Sequence, residues 1–406
     1  MRILVLANAD LYRPRGGSQL YCYNRWRRIA RNHRLTVLLT DTVPHEPDPA
    51  FDPPESWCEK VYTVPDRPAS FGLRLERKLR RCMPWRSSQM GQWLNREAKF
   101  LAHRLLREEQ FDLLHVEGFS MWWLLPRRLE LPVSHTATDI VSRFAENNPQ
   151  PGDPWLKNFF AARRHAQLRR MEPPTWQRAN LITTITTVER DWIAKEAPGV
   201  PVVVIPNGID RQYFAPSDEE PAQPPELCFT GIMLYRPNID AMLYFCHEVL
   251  PLIRAEVPEA RLNIVGREPS PEVQRLADIP GVTVTGSVPD VRPYLRRASV
   301  VVAPVRLGAG MRGKHLEAMA MRKPVVATTF CVEGTACTHG KDILLADDPK
   351  TFAQHTLSLL RDRAYADSIA QAGMELVHRE YDWDINAARM EEHLVRCVAD
   401  YRARQR

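Results

Sequence analysis

Residues 306–320 read RLGAGMRGKHLEAMA, with three cations and three glycines in the first nine positions. The preceding run SVVVAP, residues 299–304, is typical of a buried parallel strand, and the Ala- and Met-rich end is typical of a helix. Glycines let backbone N–H groups approach an anion, and the N-terminus of a helix adds a favourable partial charge. We therefore expect residues 306–317 to bind a nucleotide diphosphate, with Glu317 on the ribose hydroxyls; the alternative is a simple turn.

The composition is that of a globular protein with room for two domains. The chain has 406 residues, of which 44% are hydrophobic and 26% charged, and its net charge is only +6. That charge is weak support for nucleic-acid binding, so no nucleic-acid partner is expected. No apolar run approaches the roughly 20 residues of a membrane span, and MRILVLA at residues 1–7 is expected to be a buried strand rather than a signal peptide. The eight scattered cysteines favour reduced thiols and a cytoplasmic location, with no metal site.

Predicted strands alternate with predicted helices along both halves of the chain. This alternation predicts parallel sheets with helices on both faces, that is, an α/β fold. The predicted strands comprise residues 3–7, 35–39, 112–116, 132–135 and 180–185 in the first half and 227–231, 261–266, 282–285, 300–303 and 324–328 in the second.

The sequence predicts two Rossmann-like doubly wound domains facing a cleft. Residues 1–208 form the first, acceptor-side domain, and residues 209–382 form the second, nucleotide-sugar-binding domain. The junction is the run VVVIPNGID at 202–210, followed by a Pro-rich acidic linker at 216–225. The last helix, residues 383–406, is expected to pack back on the first domain. Ligands bind outside the carboxyl ends of such strands.

Several motifs in a specific order resemble those of the retaining glycosyltransferases of family 4, which have the glycosyltransferase-B (GT-B) fold. The resemblance covers nearly the whole chain, and its Gly-Ala-Gly variant is similar to sugar transferases of bacterial exopolysaccharide clusters. The motifs are Gly16-Gly17, IPNGID at 205–210, FTG at 229–231, IVG at 264–266, GSVPD at 286–290 and the run 314–320.

The resemblance implies a donor site in the second domain. Members of the family carry two Glu residues separated by seven positions; Glu317 matches the second, and the first falls on Ala309. No Lys occupies the family's position near Arg236, so the cations of residues 306–314 are expected to hold the diphosphate. The expected donor-binding residues are Gly16, Gly17, Arg236, Gly266, Val288, Arg306, Gly308, Gly310, Met311, Arg312, Lys314, Leu316 and Glu317.

The resemblance also implies catalytic residues in the first domain. His135 follows a strand where relatives carry a His near the donor sugar, and Asp139 would orient it or bind the acceptor. The alternatives are a structural His135 and a helix-capping Asp139. His115 is interpreted as structural, and Glu117 either binds acceptor or is solvated. Fixed cations would stabilise the departing diphosphate without a metal or cofactor.

Two Asp residues in the pattern Asp382-Trp383-Asp384 suit helix capping better than a metal site. The basic segment LRLERKLRR, residues 73–81, either lies on an anionic membrane or is a solvated helix.

We therefore expect a metal-independent, retaining hexosyltransferase at the inner face of the cytoplasmic membrane. It would move a sugar from a nucleotide-sugar donor to a glycan or lipid-linked saccharide in exopolysaccharide or cell-surface polysaccharide biosynthesis. One alternative is a non-catalytic nucleotide-sugar-binding scaffold of a polysaccharide assembly complex, which Ala309 favours. The other is a sugar-nucleotide 2-epimerase on the same fold.

Overall fold

The computed structural model describes residues 1–14, 17–40, 48–64, 95–138, 140–142, 155–217, 219–308 and 312–405. The expectations for Gly16, Asp139, Gly310, Met311 and segment 73–81 therefore lie outside the described residues. Contacts divide the chain into two compact units. The first unit contains Met1–Pro206 and Asn386–Arg406, and the second contains Asn207–Ile385.

A parallel sheet forms the centre of the first unit. Its described strands have the order β3-β2-β1-β4-β5-β6-β7. In this register His135 is level with Val116, and Glu117 is level with Ala7. The strands are β1 (Arg2–Ala7), β2 (Arg34–Thr40), β3 (Lys60–Val64), β4 (Leu113–Glu117), β5 (Val133–Ala137), β6 (Leu181–Thr184) and β7 (Val202–Val204).

Helices with polar caps surround this sheet. The second helix begins after Asn95, whose side chain accepts from the backbone N–H groups of Glu97 and Ala98. The described helices are α1 (Gly17–Ile29), α2 (Arg96–Glu108), α3 (Trp155–Trp176) and α4 (Thr187–Glu196), with 3-10 turns at Pro54–Ser56 and Phe119–Leu124.

The first unit buries an apolar layer on each face of its sheet. Ile3 and Val5 belong to one cluster, and Leu4 and Leu6 belong to the other. Successive strand residues point to opposite faces, so a strand that is apolar throughout needs a cover on both sides.

The second unit has its own parallel sheet, in the order β10-β9-β8-β11-β12-β13. Its strands are β8 (Glu226–Thr230), β9 (Arg261–Val265), β10 (Val282–Val284), β11 (Val300–Ala303), β12 (Val325–Ala327) and β13 (Leu344–Leu345). Its described helices are α5 (Arg236–Tyr244), α6 (Leu250–Arg254), α7 (Pro271–Gln274), α8 (Arg292–Arg297), α9 (Lys314–Ala320), α10 (Pro349–Arg361) and α11 (Arg363–Glu380), with a π turn at Phe245–Val249 and a 3-10 turn at Arg275–Asp278.

These two sheets confirm the predicted α/β class with two Rossmann-like, doubly wound parallel sheets. The edge strands β3 and β13 were not predicted. β13 has only two residues, and β3 is partly exposed and contains Lys60 and Thr63, so neither carries the long continuous apolar pattern of an inner strand.

The last helix, α12 (Trp383–Gln405), starts at an aspartate cap. Asp382 Oδ1 accepts from the backbone N–H groups of Asp384 and Ile385, at 2.7 and 3.0 Å. The predicted capping role is confirmed for Asp382, whereas Asp384 lies in the first turn of the helix. Further along α12, Met390 and Leu394 are fully buried in the same cluster as Ile3.

We expect Leu394→Ala to lower the free energy of unfolding by about 2–5 kcal/mol, because it removes buried surface and leaves a cavity. Val395→Ala is the matched control, because Val395 is 47% exposed on the same helix. Urea unfolding of both variants measures the difference. Equal losses would show that α12 does not contribute Leu394 to the core.

Candidate functional site

In the second unit, the loops that follow β8 and β11 meet at Lys314. The Lys314 ammonium donates to Asn238 Oδ1 at 2.6 Å and lies 4.0 Å from the ring centroid of Phe229. A side chain added at Gly231 would come within 2.7 Å of Asn238 Nδ2 and 3.4 Å of Lys314 Nζ. A side chain at Gly231, directly after β8, would therefore require Asn238, the partner of the ammonium, to move.

Two further glycines are required by close approach. Gly266, after β9, has a φ of +152°, and a Cβ there would collide with the carbonyl oxygen of Gly231. Gly308 has a φ of +119°, and its Cβ would lie 3.3 Å from Pro237 Cγ. L-residues with a side chain rarely adopt such φ values, so both predicted donor residues have a structural reason to be glycine.

Burial shifts the two ionisable groups of α9 that are predicted to bind donor. Desolvation lowers the pKa of Lys314 to about 8 and raises the pKa of the Glu317 carboxyl, which the positive charge of Lys314 opposes. The contacts that hold Lys314 in the described structure, the Asn238 amide and the Phe229 ring, are uncharged. Lys314 is thus a partly desolvated cation suited to an anionic ligand.

The three predicted cations have different partners in the structure. Arg306 donates to both carboxylate oxygens of Asp240, at 3.0 and 3.2 Å, and lies 4.0 Å over the Tyr244 ring. Arg312 donates to the carbonyl oxygen of Phe330 at 2.6 Å and stacks on its ring at 3.9 Å. Arg306 is therefore paired with a carboxylate, whereas Lys314 is held by an amide and an aromatic ring.

The remaining predicted donor-binding residues differ in their exposure and in the groups that a ligand could contact. Arg236 is exposed at the first position of α5, and Val288 is half-buried after β10. Leu316 is fully buried in the core, so only its backbone is free for a ligand. In the first unit, Gly17 begins α1, and a Cβ there would meet no atom within 4 Å in the described part of the chain.

A tyrosine that the sequence reasoning gave no role, Tyr213, is held by two charged residues of the second unit. Arg292 stacks on the Tyr213 ring at 3.9 Å and pairs with both oxygens of Asp290, which accepts from the Tyr213 hydroxyl at 3.4 Å. Burial and then the charge of Asp290 raise the pKa of Tyr213, with a further contribution from Glu317. The Tyr213 ring is thus fixed by Arg292 and Asp290 and lies within electrostatic reach of the predicted ribose carboxylate.

In the first unit, His135 is a buried, neutral histidine. Its Nδ1 lies 3.0 Å from the carbonyl oxygen of Val116, which can only accept, so Nδ1 carries the proton and Nε2 keeps its lone pair. Its ring lies 5.6 Å from the ring of Trp122. Burial lowers the pKa of His135 to about 4. At neutral pH this side chain can accept a hydrogen bond from a hydroxyl group.

Glu117 belongs to a buried polar network that includes an arginine missed from the sequence. Arg25 of α1 forms an ion pair with Glu117, and His115 Nε2 donates to Glu117 Oε2 at 3.2 Å. The interpretation that Glu117 is solvated is wrong, since only 8% of it is exposed. Arg25 sits among buried Cys22, Trp26 and Ile29 at helical spacing, a signal that was available in the sequence.

This network also fixes the residues on either side of His135. His115 Nδ1 accepts from Ser134 Oγ at 2.8 Å, and Thr136 Oγ1 lies 3.1 Å from His115 Nε2 and 2.9 Å from Thr183 Oγ1. Burial opposes ionisation of Glu117, but Arg25 and His115 outweigh it and lower the pKa of the carboxyl. The network therefore holds β5 at the position of His135.

In the described ranges, no three His, Cys, Asp or Glu side chains are grouped so that they could hold a metal ion. No helix in the described part of the chain is long and apolar enough to cross a membrane.

We expect Glu117→Gln to lower the free energy of unfolding by about 3–5 kcal/mol at pH 7, because it leaves Arg25 buried without a counter-charge. Because the folded-state pKa of Glu117 lies below the ordinary 4.5, its stabilisation is present above that pH and is lost as the pH falls. The difference between wild type and variant should therefore shrink in acid, as thermal unfolding across pH will measure.

The exposed Glu108→Gln is the control and should change stability by less than about 0.5 kcal/mol. The double variant Arg25→Met/Glu117→Leu should recover most of the loss, because it removes both charges. A pH-independent defect in Glu117→Gln would contradict the ion-pair account.

Two family models match successive parts of the chain. Residues 15–213 match Glycosyltransferase Family 4, and residues 224–362 match Glycosyl transferases group 1. The first range begins after β1, just before α1, and extends past β7, and the second begins just before β8.

Two curated relatives are similar over part of their lengths. An "Uncharacterized 44.6 kDa protein in cps region" of Klebsiella pneumoniae is 23% identical over 203 residues, which are 48% of this chain and 52% of the relative. A "GDP-mannose-dependent alpha-(1-6)-phosphatidylinositol monomannoside mannosyltransferase" of Mycobacterium tuberculosis is 29% identical over 239 residues, 53% of this chain and 61% of the relative. The matches thus span little more than half of each relative.

Solved structures are similar over nearly the whole chain. Sucrose-phosphate synthase from Thermosynechococcus elongatus is 18% identical with a TM-score of 0.67, covering 98% of this chain and 99% of that one. Anabaena HepE in complex with UDP and glucose is 14% identical with a TM-score of 0.62, covering 97% and 99%. At such identities the likeness concerns the fold. The two family models and this shared fold place the chain among the glycosyltransferases of the GT-B type.

Proposed function

We propose that the protein is a retaining, metal-independent hexosyltransferase that moves a sugar from a nucleotide-sugar donor to a glycan or lipid-linked saccharide. The observation that carries the proposal is the partly desolvated ammonium of Lys314, held by uncharged groups where the loops after β8 and β11 meet. Ligands of parallel sheets bind at such strand ends. The relative from a cps region supports a role in exopolysaccharide or cell-surface polysaccharide biosynthesis.

In this proposal the donor diphosphate binds at Lys314. The glycine backbones of Gly231 and Gly266 leave room for it, and Glu317 holds the ribose hydroxyls beside the Tyr213 ring. A fixed cation stabilises the charge that develops on the departing diphosphate without a metal ion or cofactor. Arg312 is anchored nearby on Phe330, whereas Arg306 would have to exchange Asp240 for the ligand.

The proposed role of His135 is to accept a hydrogen bond at Nε2 from a sugar hydroxyl near the reacting carbon. Its neutral imidazole supports this role, because burial keeps its pKa near 4. Asp139 remains the proposed residue that orients His135 or binds acceptor. Retention follows in this proposal if the acceptor hydroxyl attacks from the face that the leaving phosphate departs, with a phosphate oxygen as base.

A second candidate function is a nucleotide-sugar-binding scaffold without catalysis. It is favoured by Ala309, which stands where the family resemblance implies a donor-sugar carboxylate. The two functions differ in turnover and not in donor binding.

We also propose that the protein works at the inner face of the cytoplasmic membrane, in peripheral contact with anionic lipid through segment 73–81. Such a basic segment would bring the protein to a lipid-linked acceptor.

The first experiment is a panel of UDP-, GDP- and ADP-sugars, with binding measured by calorimetry and nucleotide release measured with and without lipid extract. We expect selective binding of one donor and release that depends on acceptor. Glu317→Ala should weaken that binding at least about tenfold through loss of charge-assisted hydrogen bonds, whereas the exposed Glu259→Ala should not. Donor binding without nucleotide release under every acceptor condition would favour the scaffold function. An unchanged donor affinity in Glu317→Ala would contradict the assignment of the donor site.

Donor binding should weaken as the pH rises through about 8, because deprotonation of Lys314 removes its positive charge. Lys314→Met should bind donor at least about tenfold more weakly at pH 7 and should lose this pH dependence. The exposed Lys341→Met is the matched control and should keep the wild-type profile. Calorimetry from pH 6 to pH 9 measures both effects, and a wild-type profile in Lys314→Met would exclude Lys314 as the diphosphate ligand.

A further inference from the structure

Asn238, in the first turn of α5, joins three parts of the second unit. It is buried, with 6% of its surface exposed. Its Nδ2 donates to the carbonyl oxygen of Ile232 at 2.9 Å, and its Oδ1 accepts from the Lys314 ammonium at 2.6 Å. The side chain therefore connects the loop after β8 and the start of α5 to the first residue of α9.

The two partners of Asn238 fix the orientation of its amide. The Ile232 carbonyl can only accept a hydrogen bond and the Lys314 ammonium can only donate one, so Nδ2 and Oδ1 cannot exchange places. The amide also packs so closely on Gly231 that a Cβ added there would lie 2.7 Å from Nδ2. A carboxylate of the same shape could not donate to the carbonyl, and an alkyl group could neither donate nor accept.

The Lys314 ammonium keeps its positive charge uncompensated in this arrangement. Its second contact, the Phe229 ring, is uncharged. The neighbours that act on its charge are Glu317 and Cys331, which favour the charged form, and Arg312, which opposes it. Burial raises the pKa of the Cys331 thiol to about 11, so this thiol is neutral at pH 7. The amide uses one of the three ammonium donors, which leaves others for an anion.

We propose that Asn238 is a positioning residue for the donor diphosphate, because it holds the Lys314 ammonium in place without neutralising it. A carboxylate at the same place would hold the ammonium equally close but would compensate its charge, as Asp240 does for Arg306. The inference deepens the proposed function and rests on it, since Lys314 binds the diphosphate in that proposal.

The test measures the pKa of the Lys314 ammonium by NMR titration of protein that is isotope-labelled at lysine Cε. The Lys314 signal is the one that is missing from Lys314→Met. Asn238→Asp should raise this pKa from about 8 by at least about one pH unit, because a neighbouring negative charge favours the ammonium. Asn238→Leu should lower it, because the charged form loses a hydrogen-bond acceptor.

The matched control is Gln354→Glu, which adds the same charge at an exposed position of α10 and should leave the pKa of Lys314 unchanged. A residue that only contributes packing would not shift this pKa in opposite directions in its two variants. Circular dichroism and the melting temperature establish that each variant is folded. If Asn238→Leu does not fold, the nearly isosteric Asn238→Asp decides the question alone.

Binding of UDP, GDP and ADP to the same samples is measured by calorimetry at pH 7. The nucleotide that wild type binds should bind at least about tenfold more weakly to Asn238→Asp, because the new carboxylate compensates the ammonium and repels the diphosphate. The Gln354→Glu control should keep the wild-type affinity.

The inference would be overturned by a pKa of Lys314 that does not rise in Asn238→Asp, or by a wild-type nucleotide affinity in that variant. If the pKa of Lys314 shifts as expected but wild type binds none of the three nucleotides, Asn238 does hold the ammonium and the proposed donor site is wrong. Failure of the inference is thus distinguishable from failure of the proposed function.

Discussion

The close contact between the backbones of Gly231 and Gly266 sets the geometry of the candidate donor site. A Cβ at Gly266 would collide with the Gly231 carbonyl oxygen, and one at Gly231 would collide with Asn238. These two glycines let the loops after β8 and β9 approach each other and leave space in which Lys314 reaches Asn238. Larger residues at either position would displace the loops and, with them, the ammonium that the proposed function depends on.

The two units hold their buried charges in different ways. In the first unit Glu117 neutralises Arg25, so the charge of Arg25 stabilises the fold and the position of β5. Lys314 in the second unit is held by an amide and an aromatic ring, so burial is compensated only in part and its pKa falls to about 8. A paired buried charge fixes structure, whereas a buried charge held by neutral groups keeps its attraction for an anion.

The sequence predicted the fold class well because its signal is local. Continuous apolar runs such as residues 299–304 correspond to inner strands, here β11, and the predicted helix begins at Lys314. The same reasoning failed for the edge strands β3 and β13 and for Arg25. Arg25 lies in a helix that contains several arginines, so it resembles a surface residue. Only its spacing from the buried residues Cys22, Trp26 and Ile29 places it on the apolar face of that helix.

The alternation of strands and helices, the helix cap at Asp382 and the clustering of Gly with Lys314 could all be read from residues close together in the chain. The partner of each charge could not. Arg306 pairs with Asp240, 66 positions away, and Arg25 pairs with Glu117, 92 positions away. Such pairs form only when the packing of helices on a sheet brings distant residues together and excludes water from between them. Only the folded chain therefore shows which partner each of the three grouped cations has.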